Sequence, residues 1–339
     1  VLSRSCWVFF RVKRLENIRP EDMPIVIQGL GGRFPNANGL EELWSSLISG
    51  TDLVSEACND RWPTRNDLPS VGLLKDLSAF DASFFKIAPK QASCLDPQTR
   101  ILLEVVYETI ADAGTNPGDL AASYSDIGVF VGCCRSDAEA ALTSQTPVEG
   151  LAIAGCASSM IANRVSHAFN FKGPSMTLTT ECSSSLVALH QARLALLGGE
   201  CDAAIVAGTN VILRPGISES FAKLNMLAPD GKCRSFDASG QGYVRSEAVA
   251  CVLLTKEDVV GPRDCELVTC GSRHAGFNPS GILATDKSAQ VELLRRVYQG
   301  AGLGNAEVAY IEAHGPGTEV GDTVEIAALS EYFFSGDQS

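Results

Sequence analysis

The stretch Thr177–His190, TLTTECSSSLVALH, places one cysteine between a β-prone run and an apolar helical pattern. A thiol at a helix start lies among unpaired backbone N–H groups and near the positive end of the helix dipole, and both lower its pKa. The serines after Cys182 suit a helix start because their hydroxyls can cap free amides. The stretch therefore predicts either a nucleophilic Cys182 at a strand-to-helix turn or a packed core cysteine.

The segments around this stretch alternate between apolar strands and helices, which is typical of an α/β protein whose sheets are covered on both faces. The helix pattern that follows Cys182 is apolar nearly all round and predicts burial on every side. We predict strands at 24–29, 127–134, 175–180, 201–213, 248–256, 265–276 and 308–315. We predict helices from Leu40, from Pro97, and over 159–170, 183–197 and 288–302.

One of the four histidines is placed differently from the others. His167 and His190 lie inside helical patterns, and His274 lies in a polar turn. His314 stands at a predicted strand end in the glycine-rich loop HGPG, where a ligand or another backbone can approach closely. His314 is therefore the candidate partner of Cys182, and the alternative is a structural histidine.

Composition limits the function classes. A net charge of −13 over 339 residues argues against nucleic acid or an anionic membrane as the main partner. The 12 cysteines show no matched C-x-x-C pairs, so we expect free thiols in a reducing compartment, the cytosol, and no metal site. We expect no membrane span and no signal peptide. The missing initiator methionine indicates a fragment.

Two motifs resemble those of one family. TTECSSSLVALHQA resembles the nucleophile segment of β-ketoacyl synthases, usually DTACSSSL, and EAHGPGTEVGDTVE resembles their first histidine segment, EAHGTGTxxGDPxE. GLGGRFPNANGLEELWSSLISG, FDASFFKIAPKQASCLDPQTRILLEVVYETIADAG, NRVSHAFNFKGPS and LNMLAPDGKCRSFDASGQGYVRSEA match further segments in order. LKDLSAFDASFFKIAPKQ is most similar to the synthase domain of animal-type fatty acid synthase or animal polyketide synthases. The resemblance covers roughly Met23 to Ile326.

The resemblance implies a thiolase-like α/β fold, with five α-β-α-β-α layers built from two similar halves, and a homodimer. It implies an N-terminal extension at 1–22, an N-terminal half with the nucleophile elbow at 23–255, and a C-terminal half that begins at 256–339. The family's second histidine segment, KSNxGH, and its GFGG loop do not occur before Ser339. We therefore expect a C-terminal half that is incomplete, and a piece that is inactive when taken alone.

The resemblance also implies a decarboxylative Claisen condensation. Cys182 would accept an acyl chain from the phosphopantetheine of an acyl carrier protein, and His314 would stabilise the enolate formed from malonyl or methylmalonyl carrier protein. Thr318 would contact the incoming pantetheine. No metal or redox cofactor bound by the domain is implied. Basic residues that could dock the acidic carrier protein are Arg33, Arg61, Arg65, Lys86 and Lys90.

Four residues depart from the family patterns: Thr179, Glu181, Pro316 and Thr323. A carboxylate at Glu181 raises the pKa of the adjacent thiol, unless it points to helix amides or to a dimer interface. These departures leave a second hypothesis open: a degenerate or truncated relative that only dimerises or binds a carrier protein. A Cys-His hydrolase is a third hypothesis, but it explains none of the other matched segments.

Overall fold

One sheet organises the chain in a computed structural model, which describes residues 4–11, 24–54, 69–143, 150–256 and 265–334. Its strands are β1 (Arg4–Arg11), β2 (Ile25–Arg33), β3 (Ile127–Cys133), β4 (Ser175–Leu178), β5 (Ala203–Asn210), β6 (Ala248–Lys256) and β7 (Cys265–His274). Their order is β1-β7-β2-β6-β5-β3-β4. β3 is parallel to both β4 and β5, and the other pairs are antiparallel. β1 lies within the predicted N-terminal extension.

Eleven helices accompany these strands in the described ranges. They are α1 (Leu40–Ser49), α2 (Pro89–Ala92), α3 (Pro97–Asp112), α4 (Pro117–Ser123), α5 (Asp137–Thr143), α6 (Ala152–Cys156), α7 (Ser158–Phe169), α8 (Ser184–Gly198), α9 (Gly216–Lys223), α10 (Lys287–Gly300) and α11 (Glu319–Phe334). The short helices α2, α4, α5, α6 and α9 were not predicted. The predicted start of α3 is confirmed, because the Asp96 carboxylate accepts from the Gln98 amide and Pro97 takes the first helical position.

Alternating strand residues pack against different helices, so the centre of the sheet is covered on both faces, as predicted. Val129 and Val131 of β3 and Ile205 of β5 pack in one apolar cluster with α3 and α7. Phe130 of β3 and Val206 of β5 pack in another cluster with α8. A third cluster joins α10 and α11. Because side chains alternate along a strand, the continuous apolar runs serve both faces.

The predictions for strand β2 and helix α8 are wrong in part. The first predicted strand does not end at Gly29 but continues to Arg33, and Gly29 and Gly31 permit close packing on α3. A Cβ at Gly29 would lie 2.2 Å from the Thr109 carbonyl oxygen. Helix α8 is not buried on every side, since Leu194 is 46% exposed and Leu197 is 52% exposed. These leucines point away from the sheet that buries the opposite face of α8.

The start of α8 lies unusually close to β3 and β5. A Cβ at Gly132 of β3 would lie 2.4 Å from the Ser185 amide nitrogen, and a Cβ at Gly208 of β5 would lie 2.9 Å from the Ser185 Cβ. Only a residue without a side chain fits either position without a shift of the backbone. The two glycines therefore fix the height of α8, and of the turn before it, above the sheet.

Gly132→Ala is expected to lower the free energy of unfolding by about 1–3 kcal/mol, because the new methyl group overlaps the α8 backbone. The matched control is Gly198→Ala at the last residue of α8, where a Cβ would meet no atom within 4 Å. There alanine should be neutral or add up to about 1 kcal/mol through helix propensity. Urea unfolding midpoints measure both changes, and equal midpoints would contradict the packing argument.

Candidate active site

Cys182 lies at a strand-to-helix turn, as the sequence predicts. Strand β4 ends at Leu178, a 3₁₀ turn spans Glu181–Ser183, and α8 follows at once. Glu181 has φ 56°, a left-handed conformation that is uncommon for residues other than glycine, asparagine and aspartate. Cys182 itself is exposed. The turn therefore presents the thiol at the end of the sheet and is itself in a strained backbone conformation.

The serine hydroxyls of this turn do not cap α8, so that prediction is wrong. Ser183 Oγ donates to the Thr180 carbonyl oxygen at 2.9 Å, and Ser184 Oγ donates to the Glu181 carbonyl oxygen at 2.6 Å. Ser184 Oγ also accepts from the Thr180 amide at 2.9 Å. The tight turn brings these backbone groups within reach of the hydroxyls, which bond locally instead of reaching forward to the helix amides. The serines stabilise the turn.

The pKa of the Cys182 thiol is raised, opposite to the prediction from the helix start. Loss of water around the sulfur is the largest cause, and the nearby Cys134 thiol is the next cause that raises the pKa. A backbone N–H bond lowers the pKa in part, and the Glu181 carboxylate raises it, as predicted. Protein atoms around the sulfur thus disfavour the thiolate more than the helix start favours it.

The loop after β3 contacts the Cys182 turn, a neighbour that the sequence analysis missed. Cys134 Sγ donates to the Glu181 carbonyl oxygen at 2.9 Å and lies 3.6 Å from Ser184 Oγ. Arg135 Nη2 lies 3.4 Å from Glu181 Oε1. The pKa of Cys134 is raised, mainly by burial. The only sequence signal for this contact was the position of both loops after apolar strands.

A cavity of about 480 Å³ opens beside this loop. Four of its lining residues are charged, and the lining includes neither Cys182 nor His314. The lining residues are Cys134, Arg135, Ser136, Asp137, Glu139, Ala140, Ser158, Arg214, Gly216 and Ile217. Because Cys134 and Arg135 contact the 181–184 turn, the cavity adjoins the candidate nucleophile.

His314 lies in an irregular segment and not at the end of a strand, so the predicted strand at 308–315 is wrong. The amides of His314 and Gly315 donate to the two oxygens of Glu325, each at 2.8 Å. The Gly317 amide donates to Asp322 at 3.0 Å. These amides bond to two buried carboxylates of α11 instead of a neighbouring strand. The sequence analysis did not assign Asp322 and Glu325 this role.

The segment before β6 links the histidine loop to the surroundings of Cys182. The Gly242 amide donates to the Gly317 carbonyl oxygen at 2.9 Å, and Gly242 has φ 126°, which favours glycine. The next residue, Tyr243, lies near the nucleophile turn. Burial raises the pKa of Tyr243 to about 12, with smaller contributions from Cys182 and Glu181. The segment around Gly242 therefore contacts the loop of one candidate residue and approaches the other.

Thr318 is placed at the start of α11. Its Oγ1 accepts from the Gly321 amide at 3.2 Å, and its carbonyl oxygen accepts from the Asp322 amide at 3.0 Å. A hydroxyl that accepts one bond can still donate its own hydrogen. The side chain thus stabilises the loop while retaining a donor.

The predicted basic docking residues do not form one uniform group. Nη1 and Nη2 of Arg33 donate to the two carboxylate oxygens of Glu108, each at 2.5 Å, and this pairing raises the pKa of Arg33. Lys86 and Lys90 are exposed. Arg61 and Arg65 lie outside the described residues. Arg33 is therefore largely neutralised by Glu108.

Comparisons with known proteins identify the family. The family model "Beta-ketoacyl synthase, N-terminal domain" matches residues 22–259, and "Beta-ketoacyl synthase, C-terminal domain" matches residues 265–339. The chain belongs to the β-ketoacyl synthase family. A fatty acid synthase of Anser anser anser is 45% identical over 313 residues, which are 91% of this chain and 88% of that protein. The predicted resemblance is confirmed.

Other β-ketoacyl synthase relatives are longer than this chain. The partially reducing polyketide synthase tpeA of Talaromyces stipitatus is 39% identical over 329 residues, which are 91% of this chain and 13% of that protein. The oxazolomycin ketosynthase domain OzmH KS7 of Streptomyces albus JA3453 has a TM-score of 0.85 and 35% identity, over 93% of this chain and 58% of that one. This likeness confirms the predicted thiolase-like α/β fold.

The ten cysteines whose side chains the structure describes are free thiols, and six of them are buried. This agrees with cysteines that pack as small apolar residues. In the part of the chain that the structure describes, no helix is both long enough and apolar enough to cross a membrane.

The rate of Cys182 alkylation by iodoacetamide is expected to rise about tenfold per pH unit and to continue rising above pH 8. The reason is that the raised pKa of Cys182 keeps the thiolate scarce up to higher pH. Mass spectrometry of the Cys182 peptide measures the rate in the native protein. The same peptide in urea-unfolded protein is the control and should level off at lower pH. If the rate in the native protein levelled off at a lower pH than the rate in the unfolded protein, the effect of burial on the pKa would be contradicted.

Proposed function

We propose that the chain acts as a 3-oxoacyl-[acyl-carrier-protein] synthase domain in fatty acid or polyketide synthesis. It would join an enzyme-bound acyl thioester to malonyl or methylmalonyl carrier protein. The observation that carries the proposal is the exposed Cys182 at the turn between β4 and α8, in a chain of the β-ketoacyl synthase family. Its relatives include a fatty acid synthase and polyketide synthases.

In the first step, Cys182 acts as the nucleophile. Its thiolate attacks the carbonyl carbon of an acyl thioester carried on phosphopantetheine, the carrier thiol leaves, and the acyl chain becomes a thioester of Cys182. The exposed turn allows a long, flexible arm to approach. The raised pKa keeps the sulfur mostly protonated at neutral pH, so the proton must leave before or during attack.

In the second step, His314 acts on the extender unit. Malonyl carrier protein loses carbon dioxide, and the electrons of the broken bond form an enolate, which a hydrogen bond from His314 to the thioester oxygen stabilises. The enolate carbon attacks the acyl carbonyl on Cys182, the sulfur leaves, and a 3-ketoacyl carrier protein results. Thr318 can donate its hydroxyl hydrogen to the pantetheine arm.

The proposed domain division, oligomeric state and partner also follow from the family. We place residues 23–255 in an N-terminal thiolase-like half and residues 256–339 at the start of a second half, with 1–22 as an extension. A homodimer is favoured by the sheet edge at β4, where Met176 is 38% exposed. The partner is an acyl carrier protein, no bound cofactor is needed, and the free buried thiols suit the cytosol.

Three of the four departures from the family motifs have a local hydrogen-bond or ion-pair partner, which favours an active synthase over a degenerate one. Thr179 Oγ1 donates to the Cys133 carbonyl oxygen at 2.8 Å and so ties the nucleophile turn to β3. Thr323 Oγ1 donates to the Glu319 carbonyl oxygen within α11. Each of these two replacements thus has a hydrogen-bond partner. Glu181 has Arg135 beside it.

Radiolabelled acyl-pantetheine tests the proposal on the protein at its full natural length. Label should reach Cys182 and be lost in Cys182→Ala, whereas Cys233→Ala, at another exposed thiol, should keep it. His314→Ala should retain acyl loading but slow condensation with malonyl carrier protein by about 10²–10³-fold, the usual loss of one oxyanion donor.

Three results would count against the synthase proposal. Labelling that persists in Cys182→Ala would exclude this nucleophile. Release of the free acid to water without condensation would favour a hydrolase. Activity that appears only after Glu181→Ala would make the natural protein degenerate. The loading and condensation assays report these outcomes separately.

A further inference from the structure

The loop after β3 holds residue 181 at two points. Cys134 Sγ bonds to the Glu181 carbonyl oxygen, and the Arg135 guanidinium pairs with the Glu181 carboxylate. The parallel pairing of β3 with β4 explains this contact, because Gly132 lies opposite Leu178 and both strands end at the same edge of the sheet. Residues that follow the two strands therefore meet beside Cys182.

Glu181, the residue that the loop after β3 contacts, also has a strained backbone conformation. Glu181 occupies the left-handed region, where its Cβ is crowded, directly before Cys182. The Glu181 carbonyl oxygen accepts from both Cys134 Sγ and Ser184 Oγ. Its side chain is 28% exposed and points toward Arg135. Backbone and side-chain contacts together select this conformation, which orients the following residue.

Among the side chains that the structure describes, titratable and charged groups around the Cys182 turn come from three segments. Glu181 belongs to the turn itself, Cys134 and Arg135 follow β3, and Tyr243 precedes β6, where Arg245 lies near Cys134. Burial is the main cause that raises the pKa of Cys182, and Cys134 and then Glu181 raise it further. Arg135 is the group that pairs directly with Glu181, and it is the cation placed to offset that carboxylate.

We propose that Arg135 is a positioning residue that acts on Cys182 through Glu181. Its guanidinium offsets the carboxylate beside the thiol and holds the turn that presents the sulfur. The positive charge of Arg135, in the loop after β3, thus compensates the negative charge of Glu181, which lies next to Cys182. Its importance for catalysis rests on the proposed function, but the electrostatic effect does not.

The experiment measures the pH dependence of iodoacetamide alkylation at the Cys182 peptide in the full-length protein. Arg135→Gln should slow alkylation at pH 8 by about two- to fivefold, because Glu181 loses its paired cation. Glu181→Gln should speed it by a similar factor. In the Glu181→Gln background, adding Arg135→Gln should change the rate by less than about 1.5-fold, since a residue acting through Glu181 has nothing left to offset.

Two further variants separate charge from folding. Arg135→Lys keeps the cation and should restore most of the alkylation rate if its thermal unfolding matches the unsubstituted protein. Arg296→Gln breaks another exposed arginine–carboxylate pair, with Glu292 on α10, and should leave the Cys182 profile unchanged. If Arg135→Gln misfolds, two variants still test the charge argument: Arg135→Lys should alkylate at close to the unsubstituted rate, and Glu181→Gln should alkylate faster.

Equal slowing by Arg135→Gln in both backgrounds would overturn the proposal, because Arg135 would then act independently of Glu181. Unchanged profiles in Arg135→Gln and Glu181→Gln would overturn it as well. Acyl loading measured in parallel distinguishes this failure from failure of the synthase proposal. Alkylation needs only the thiol, whereas loading needs the substrate site.

Discussion

The structure depends on the close approach of α8 to the centre of the sheet. Gly132 and Gly208 leave no side chain between the sheet and Ser185, so the helix start is held against β3 and β5. The chain must therefore turn sharply between β4 and α8, and Cys182 lies within that turn. The strained Glu181 backbone follows from the same constraint, because few residues are available to reverse direction.

Parallel pairing then determines which groups surround the thiol. β3, β4 and β5 run in one direction, so the loops that follow them lie at one edge of the sheet. In open α/β sheets this edge is where ligands bind. Cys134 and Arg135 reach the Cys182 turn for this reason, and the charged cavity opens beside them. The loop after buried strand β3 thus places a thiol and a guanidinium beside the candidate nucleophile, which lies in the loop after β4.

Local signals predicted the parts of the structure that depend on short-range chemistry. Asp96 and Pro97 start α3 through one side-chain bond and one fixed dihedral, and both are readable from adjacent residues. The position of Cys182 is readable for the same reason. The Arg135–Glu181 pair is not, because its partners are far apart in sequence and meet only through strand pairing. The segment before His314 looks like a strand, yet the amides of the histidine loop bond to Glu325 and Asp322.

The prediction about the thiol pKa was wrong because two opposing effects share one origin. The helix start that stabilises a thiolate is also where the chain packs closely, and that packing removes part of the water around the sulfur, although Cys182 as a residue stays exposed. The resulting raised pKa need not weaken a nucleophile in proportion. Intrinsic thiolate nucleophilicity rises with thiol pKa, although the ionised fraction falls. The histidine loop complements this arrangement, since its backbone amides carry the bonds to α11 and fix His314 without using its imidazole. Under the proposed function, the ring acts on the extender unit while these backbone bonds hold the loop in place.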